Sequence, residues 1–320
     1  MNIECSLQGA WSRPLPRTHS LPVTVEQLVA ASALVGLPTI ASGLGASRPL
    51  LEMIWRIAIV LANVRPSADG FSWSRSKAYD RLDRSEKIAV SYFLGMVQAQ
   101  LTARGVLGYS HLVHVDALLL AEGVPLTGMR PDFVAVQLGK RRSEVYGATV
   151  EAKGRTNGFD ATALAAAKTQ ARVIPMISGL TPRETIAAEA HFGDSSEWAA
   201  VLEDPEWEGE RLQIGLEGYL MVYYETVIEA GRETDSWALG DEEFRYSIPG
   251  YPFGVRIPRR LVEAYDKTVL LSAEEREQSG LMSEACFTLS KEHQRGAGVD
   301  YISLEFSSGL DDDDKLRLFD

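Results

Sequence analysis

The 320-residue chain contains two cysteines, Cys5 and Cys286, which lie far apart in the sequence. This spacing excludes a disulfide framework, and no cysteine–histidine cluster has the ligand spacing of a zinc site. The N-terminus lacks the basic and then apolar segments of a secretory signal. The most apolar stretch, 51–62, is too short for a membrane span and contains Glu52 and Arg56. We therefore expect a protein of the reducing cytoplasm that does not associate with a membrane.

Several catalytic motifs are also missing. The segment 41–46 contains two glycines but lacks the lysine of a P-loop and the third glycine of a dinucleotide-binding fingerprint. No Gly-x-Ser-x-Gly motif is present, which argues against a serine hydrolase of that type. The net charge of −12 argues against nucleic-acid binding over the whole surface, although it is compatible with a local basic groove.

The N-terminal part carries helix signals. Thr24 and Gln27 have the spacing of a capping box, which predicts a helix that runs to about Val35. A second helix is predicted from Pro49 to Asn63. The residues before Thr24 contain three prolines and few periodic apolar positions, so we expect an extended arm there.

The middle of the chain alternates between strand and helix patterns. An amphipathic helix is predicted over 85–104, with Asp83 or Ser85 as its cap, and a second helix begins at Asp160. The intervening and following strands are expected in the order 109–119, 130–136, 145–151 and, after the second helix, 173–178. Further strands are predicted over 185–192 and 198–202, and further helices over 211–231 and 257–269.

Two carboxylates and one ammonium mark the expected strands. Pro131 and Asp132 open an apolar run, and Glu151, Ala152 and Lys153 close the next one. Side chains alternate between the faces of a strand, so Glu151 and Lys153 share one face while Ala152 points to the other. Mg²⁺ and Mn²⁺ prefer oxygen ligands, so two carboxylates and the Ala152 backbone carbonyl suit such an ion. A solvated strand face would have the same pattern, and the sequence alone leaves both interpretations open.

These residues and their order resemble the PD-(D/E)xK nuclease superfamily over roughly 85–178. The resemblance implies an α/β protein with a restriction-endonuclease-like αβββαβ core, to which an N-terminal helical region and a C-terminal α-rich extension are added. It implies metal-dependent cleavage of phosphodiester bonds, with Asp132, Glu151 and Lys153 as catalytic residues and Mg²⁺ or Mn²⁺ as the cofactor. Asp132, Glu151 and the Ala152 carbonyl would be the metal ligands.

The resemblance also suggests secondary site residues. An acidic residue of the first core helix assists the metal in many members, and Glu86 has that position; a favourable charge at a helix start explains it equally well. Members often carry a Lys or Gln in the helix after the triplet, where Lys168 and Gln170 stand. Some members use an upstream histidine as an extra metal ligand. His111 and His114 are three residues apart on an expected strand, and we interpret them as structural.

Basic residues near the core are candidates for contacts with nucleic acid. Arg155 follows the triplet, and Lys77 and Arg81 belong to a basic segment over 72–84. A solvated helix face is the simpler interpretation of that segment, and a strip that contacts phosphate is the alternative. The group Tyr219, Tyr223 and Tyr224 has helical spacing, which favours core packing over base stacking.

The leading hypothesis is therefore a DNA endonuclease that acts in defence against foreign DNA, in restriction or in repair. Its regions would be an N-terminal arm and helical region (1–70), a nuclease core (71–205) and a C-terminal helical extension with an acidic tail (206–320). Double-stranded DNA is the favoured partner, and a second copy of the chain or a partner subunit is the other expectation. The alternatives are a binding module without catalysis, for DNA or for a protein, and a nuclease subunit that is active only in a larger complex.

The sequence near the C-terminus, Asp311-Asp312-Asp313-Asp314-Lys315, resembles an enteropeptidase cleavage site. It is either a remnant of protein expression or a native acidic tail, and we assign it no function.

Overall fold

The computed structural model describes residues 1–9, 11, 13–35, 48–126, 128–139, 144–171, 174–177, 183–204, 211–240, 242–292 and 302–306. The loop 41–46 and the acidic run 311–315 lie outside the described residues.

The strands of these residues are, in chain order, β1 (Asn2–Gly9), β2 (Thr18–Pro22), β3 (Val64–Pro66), β4 (Trp73–Arg75), β5 (His111–His114), β6 (Phe133–Leu138), β7 (Val145–Gly154), β8 (Ile174–Ile177), β9 (Glu184–Phe192), β10 (Trp198–Asp204), β11 (Arg211–Ile214), β12 (Ala238–Leu239), β13 (Glu243–Ser247), β14 (Phe253–Pro258) and β15 (Ser303–Phe306). The helices are α1 (Val25–Leu34), α2 (Pro49–Asn63), α3 (Lys77–Arg81), α4 (Arg84–Gly105), α5 (Val115–Ala121), α6 (Ala161–Ala171), α7 (Leu216–Arg232), α8 (Arg259–Thr268), α9 (Ala273–Ser279) and α10 (Leu281–Glu292).

A mixed seven-stranded sheet with the order β2-β1-β10-β9-β7-β6-β5 forms the centre of the α/β fold. Strands β5, β6 and β7 are antiparallel neighbours. Strand β9 lies parallel to β7, and the crossover between them contains α6. The far side continues through β10 and β1 to the edge strand β2.

Helices cover both faces of this sheet. Leu164 and Ala167 of α6 pack against Ala187 and Val201, whereas Ala188 on the opposite face belongs to the larger core. Helix α4 packs on β7 at very short range, because a Cβ atom placed on Gly154 would lie 1.6 Å from the Ser91 carbonyl oxygen. The glycine at the end of β7 therefore sets the distance between α4 and the segment that carries the candidate site.

Local sequence signals explain the helix boundaries. The predicted capping box at Thr24 and Gln27 is present, and α2 runs from Pro49 to Asn63 as expected. Helix α4 is capped by Asp83, whose carboxylate accepts the Glu86 backbone N–H. The Asp160 side chain accepts the backbone N–H of Thr162, which starts α6.

The prediction of an extended N-terminal arm is wrong. Ile3, Cys5 and Leu7 are buried and alternate with more exposed neighbours, so this segment forms the sheet strand β1. One hydrophobic cluster extends from Ile3 to Leu304, so the three predicted regions share a core. Both cysteines are buried, and they form no disulfide with each other, as expected.

The predicted order of helix, three strands, helix and strand is present, but the last strand is different. The strand predicted over 173–178 is β8, which pairs with β11 outside the central sheet. Pro175 lacks a backbone N–H and suits a short strand of that kind better than a central position. The strand beside β7 is β9, which is buried on both faces.

The C-terminal region contains more β-structure than we expected. The helices predicted over 211–231 and 257–269 begin later, because β11 and β14 occupy their first residues. Phe253, Val255 and Ile257 are buried in alternation, and β14 lies in a four-stranded sheet with the order β12-β13-β14-β15. None of the described helices has both the length and the apolar character needed to cross a membrane.

Candidate active site

Asp132 and Glu151 lie side by side where β6 begins. Phe133 pairs with Val150 in the antiparallel ladder, which places Asp132 opposite Glu151. The Asp132 backbone N–H donates a hydrogen bond to Glu151 Oε2 at 3.0 Å, and the Ala152 N–H donates to Asp132 Oδ2 at 2.9 Å. These two bonds hold the carboxylates together in a fixed relative position.

Lys153 completes this group. Its Nζ donates to Glu151 Oε1 at 2.5 Å. The Glu151 side chain is 2% exposed and that of Lys153 is 28% exposed, so the ammonium bridges a buried carboxylate and solvent. The sequence pattern fitted either a metal site or a solvated strand face. The burial of Glu151 argues against the solvated strand face.

The environment favours protons on the carboxylates. Burial, reinforced by the charge of Asp132, raises the pKa of Glu151 from 4.5 to about 7, and Lys153 opposes that shift. Burial also raises the pKa of Asp132, while the Ala152 N–H opposes the shift. Burial and the same carboxylates raise the pKa of Tyr92 to about 12. A cation placed between the carboxylates would relieve this repulsion.

The donor set fits a hard divalent cation of the Mg²⁺ class. The N–H and C=O of one residue in a strand point to the same side, and the Ala152 N–H points to Asp132, so the Ala152 carbonyl faces that side too. Two carboxylates and one carbonyl leave positions for water, which Mg²⁺ retains readily. Among the described residues, no group of three or more His, Cys, Asp or Glu side chains is arranged to hold a metal ion. A metal at this site would thus depend on backbone and water ligands.

A cavity of about 680 Å³ opens beside Asp132. Helices α2 and α4 form its apolar wall, and His114, Arg130 and Gln170 line its polar side. The structure therefore brings the predicted residue Gln170, which belongs to α6, to the same cavity as Asp132.

Two other secondary candidates lie elsewhere. Lys168, two residues before Gln170 on α6, forms an ion pair with Glu203 at 2.5 Å. Glu86 accepts the Asp83 backbone N–H at 2.9 Å and closes the capping box of α4. Neither residue lines the cavity, because the helix period points Lys168 away from Gln170 and the cap engages Glu86.

Sequence reasoning missed the role of His114. The expected strand ends at His114, and α5 follows, so this residue caps a helix: its Nδ1 accepts the Asp116 backbone N–H at 3.2 Å. Burial lowers the pKa of His114, although Asp116 and Asp132 oppose the shift. Arg130 forms an ion pair with Asp116 on the same side of the cavity. The His-x-Asp spacing before an apolar helix was the available signal.

His111 and the three tyrosines belong to the core. His111 is fully buried, and its Nε2 lies 3.2 Å from the Tyr224 hydroxyl. The Tyr219 hydroxyl donates to the carbonyl oxygens of His111 and Val134, and Tyr223 stacks edge-on against the His111 ring. These contacts agree with the structural interpretation of both sets of residues.

Glu189 is another buried carboxylate that the sequence did not reveal. It lies beside Lys153 in the parallel ladder of β7 and β9 and is fully buried. Its Oε1 accepts the Asp160 backbone N–H at 2.8 Å, and burial raises its pKa. Glu189 thus ties the start of α6 to the strand beside the site.

A basic cleft of about 640 Å³ lies next to the end of β7. Its cations are Arg75 of β4, Arg84 and Lys87 of α4, and Arg155, which directly follows β7. Asp80 and Asp160 form ion pairs with Arg75 and Arg155 at 2.9 and 2.5 Å. The predicted contact residue Arg155 lines this cleft, whereas Lys77 and Arg81 are exposed on α3 and do not.

No protein-family model, curated protein or solved structure matches this chain. The function must therefore be inferred from the geometry and chemistry of the site.

Proposed function

We propose that this protein is a Mg²⁺- or Mn²⁺-dependent nuclease of the PD-(D/E)xK type that hydrolyses phosphodiester bonds in DNA. The observation that carries the proposal is the reciprocal pairing of Asp132 and Glu151, with the Lys153 ammonium on the second carboxylate. This combination of two facing carboxylates and one cation suits metal-assisted phosphoryl chemistry.

The strand connectivity supports the same proposal. Helix α4 is followed by the antiparallel strands β5, β6 and β7, then by α6 and by β9, which is parallel to β7. This arrangement resembles the αβββαβ core expected of the superfamily. Glu151 stands on the third strand of that core and Asp132 immediately before the second, and this position of the two carboxylates supports the proposal.

Each site residue has a distinct role in this proposal. Asp132, Glu151 and the Ala152 carbonyl would hold the ion, which lowers the pKa of a bound water and offsets the charge that develops on the phosphate. Lys153 keeps Glu151 oriented and offers an N–H donor to the attacking water or to a phosphate oxygen. Gln170 lies at the same cavity, within the region that the substrate would enter.

The basic cleft supplies the sites for the substrate backbone. Arg155 lies two residues beyond Lys153, so the cleft begins about 7 Å along the strand from the site. Arg84 and Lys87 extend the positive charge along α4. Neutralisation of phosphates by such cations provides affinity without sequence preference.

A second candidate is a binding module of the same fold without catalysis, or a subunit whose activity needs a partner. The lack of a third side-chain ligand among the described residues favours it. A biological role in defence against foreign DNA, in restriction or in repair is suggested by the resemblance to the superfamily alone.

A cleavage assay tests the proposal. Plasmid DNA and labelled oligonucleotides are incubated with Mn²⁺ or Mg²⁺ and with wild type, Asp132→Ala, Glu151→Gln or Lys153→Ala. Glu86→Gln and Lys168→Ala are matched controls, because they repeat the substitutions made at Glu151 and Lys153 at residues outside the cavity. We expect cleavage by wild type and both controls, and a loss on the order of 100-fold or more for the three site variants. Equal cleavage by all variants would contradict the proposal. The absence of cleavage of any nucleic acid by the wild-type protein would contradict it as well.

A further inference from the structure

We infer that the cavity beside Asp132 receives an unpaired nucleobase, so that the substrate is a single-stranded stretch or end of nucleic acid. This inference rests on the proposed function and specifies its substrate class.

The cavity wall has the surface that a nucleobase needs. Trp55 of α2 is 57% exposed, and Tyr92 and Met129 are 47% and 57% exposed around the same opening. Trp55 is held against Phe93, with ring centroids 5.7 Å apart at an angle of 58°. Single exposed apolar residues are common on protein surfaces, but large ones gathered around one concave opening indicate a binding site.

The charges of the cavity favour a neutral occupant. Arg56 forms an ion pair with Glu52, and Arg130 forms one with Asp116. Both cations are thus matched by carboxylates, so the cavity offers little net attraction to phosphate. Its volume of about 680 Å³ lies in the range of small-molecule sites, which leaves room for one base and its sugar.

The basic cleft and the cavity lie on different sides of α4. Arg84 and Lys87 line the cleft, whereas Tyr92 and Phe93 line the cavity. Lys153 and Gly154 run beneath the helix between them. The close packing of α4 on Gly154 separates the two openings, so the base site is assigned to the cavity that Asp132 lines and not to the cleft.

Polar groups stand where the edge of a base would lie. His114 Nδ1 accepts the Asp116 N–H, so the neutral ring carries its proton on Nε2 and is a donor there. Gln170 adds an amide with both donor and acceptor atoms. A paired and stacked base cannot use Trp55 and these groups, because its faces and Watson–Crick edge are already occupied.

Binding measurements with defined oligonucleotides test the inference apart from catalysis. Anisotropy in EDTA compares labelled oligothymidylate, oligouridylate, a duplex of equal length and a single strand of abasic residues. The proteins are wild type, Trp55→Ala, Trp55→Phe and the control Phe71→Ala, whose side chain is 72% exposed and does not line the cavity. The deoxy and ribo strands distinguish DNA from RNA as the source of the base.

We expect wild type to bind the single strand at least tenfold more tightly than the duplex. Trp55→Ala should lose tenfold or more on the base-containing strand and nothing on the abasic strand, because base–aromatic stacking is removed. Trp55→Phe should restore most of the affinity, and Phe71→Ala should bind as wild type does. Equal affinity for duplex and single strand, or an equal loss on the abasic strand, would overturn the inference.

The cleavage assay separates the two claims. Cleavage of duplex as fast as of single strands, unaffected by Trp55→Ala, would refute the base site and leave the nuclease proposal standing. A base-dependent Trp55 effect on binding, without metal-dependent cleavage of any strand, would refute the nuclease proposal and leave the base site standing.

Discussion

Two pairs of neighbouring carboxylates in this protein have different surroundings. Glu217 and Glu277 lie where helices begin: Glu277 Oε1 accepts the backbone N–H groups of Glu217 and Gly218 at 2.9 and 3.1 Å. Glu217 in turn accepts the Met282 and Ser283 N–H groups at 2.7 and 3.2 Å. These carboxylates neutralise the positive N-terminal ends of α7 and α10.

Asp132 and Glu151 have fewer such donors. Each accepts one backbone N–H, and the remaining strong partner of the pair is the Lys153 ammonium. A raised pKa does not distinguish the pairs, because burial raises the pKa of Glu277 as well as that of Glu151. The distinction lies in the donors and in the cavity. Backbone N–H groups at helix ends surround the first pair, whereas the second pair has one ammonium for two carboxylates, and its Asp132 lines a cavity.

The largest effect on stability is expected at the pair that caps the helices. Glu217→Ala leaves the N–H groups of Met282 and Ser283 without their acceptor in a buried position. We expect a loss of about 2–4 kcal/mol in the free energy of unfolding, measured by urea denaturation. Asp132→Ala should cost less, about 1 kcal/mol or below, because the relief of repulsion with Glu151 offsets the loss of the acceptor for the Ala152 N–H. Similar losses of stability in both variants would contradict the distinction between the two carboxylate pairs.

The next effect concerns the pH dependence of stability. The folded-state pKa of Glu151 is raised from 4.5 to about 7, so the folded state binds the proton more tightly. The favourable contribution is complete below pH 4.5 and is lost as the pH rises to about 7. In EDTA, Glu151→Gln should therefore gain stability over wild type between pH 5 and pH 8, on the order of 1–3 kcal/mol.

Glu275→Gln is the control for that measurement. Hydrogen bonds from Ser272 lower the pKa of Glu275, so this substitution should not produce a gain that grows with pH. A stability difference between Glu151→Gln and wild type that stays constant from pH 5 to pH 8 would contradict the repulsion described for the pair.

A smaller change is expected from Lys153→Met. This variant removes the ammonium that lowers the pKa of Glu151, so that pKa should rise above about 7. If the protein is a nuclease, the acidic limb of its pH–rate profile should move to higher pH, and the maximal rate should fall by about tenfold or more. Lys168→Met should change neither. An unchanged acidic limb in Lys153→Met would show that the ammonium does not act on Glu151.

The smallest effects are expected at the two residues that the structure leaves outside the cavity. Glu86→Gln weakens a capping box, and Lys168→Ala removes a partly exposed ion pair with Glu203. Each should cost about 1 kcal/mol or less by thermal denaturation and change cleavage by less than about threefold. If either variant loses as much activity as Asp132→Ala does, the substituted residue belongs to the active site after all.

Local signals in the sequence predicted much of the fold. Capping at Thr24, proline at Pro49 and Asp160 before α6 located the helix starts, because these effects act within one turn. The alternation around Glu151 indicated a strand, and the turn before it indicated a neighbour that carries Asp132. Their proximity in the structure follows from that local order.

Long-range pairing was harder to predict. Strand β9 rather than β8 lies beside β7, and β1 joins β10 from nearly 200 residues away. Apolar alternation identifies a strand but not its partner. The cavity also depends on long-range packing. It is lined by Trp55 of α2, Tyr92 of α4 and Gln170 of α6, which are far apart in the sequence, so the sequence did not reveal that they share a cavity.

Calorimetric titration with Mn²⁺ tests the central claim most directly, because the claim is that Asp132 and Glu151 hold a divalent ion. At about pH 6.5 we expect saturable binding to wild type, with a heat that depends on the ionisation enthalpy of the buffer. This dependence arises because binding releases the proton that Glu151 retains through its raised pKa. Asp132→Ala should show no saturable heat, and Glu86→Gln should bind as wild type does. Binding to Asp132→Ala with wild-type heat, or no binding to wild type, would contradict the account.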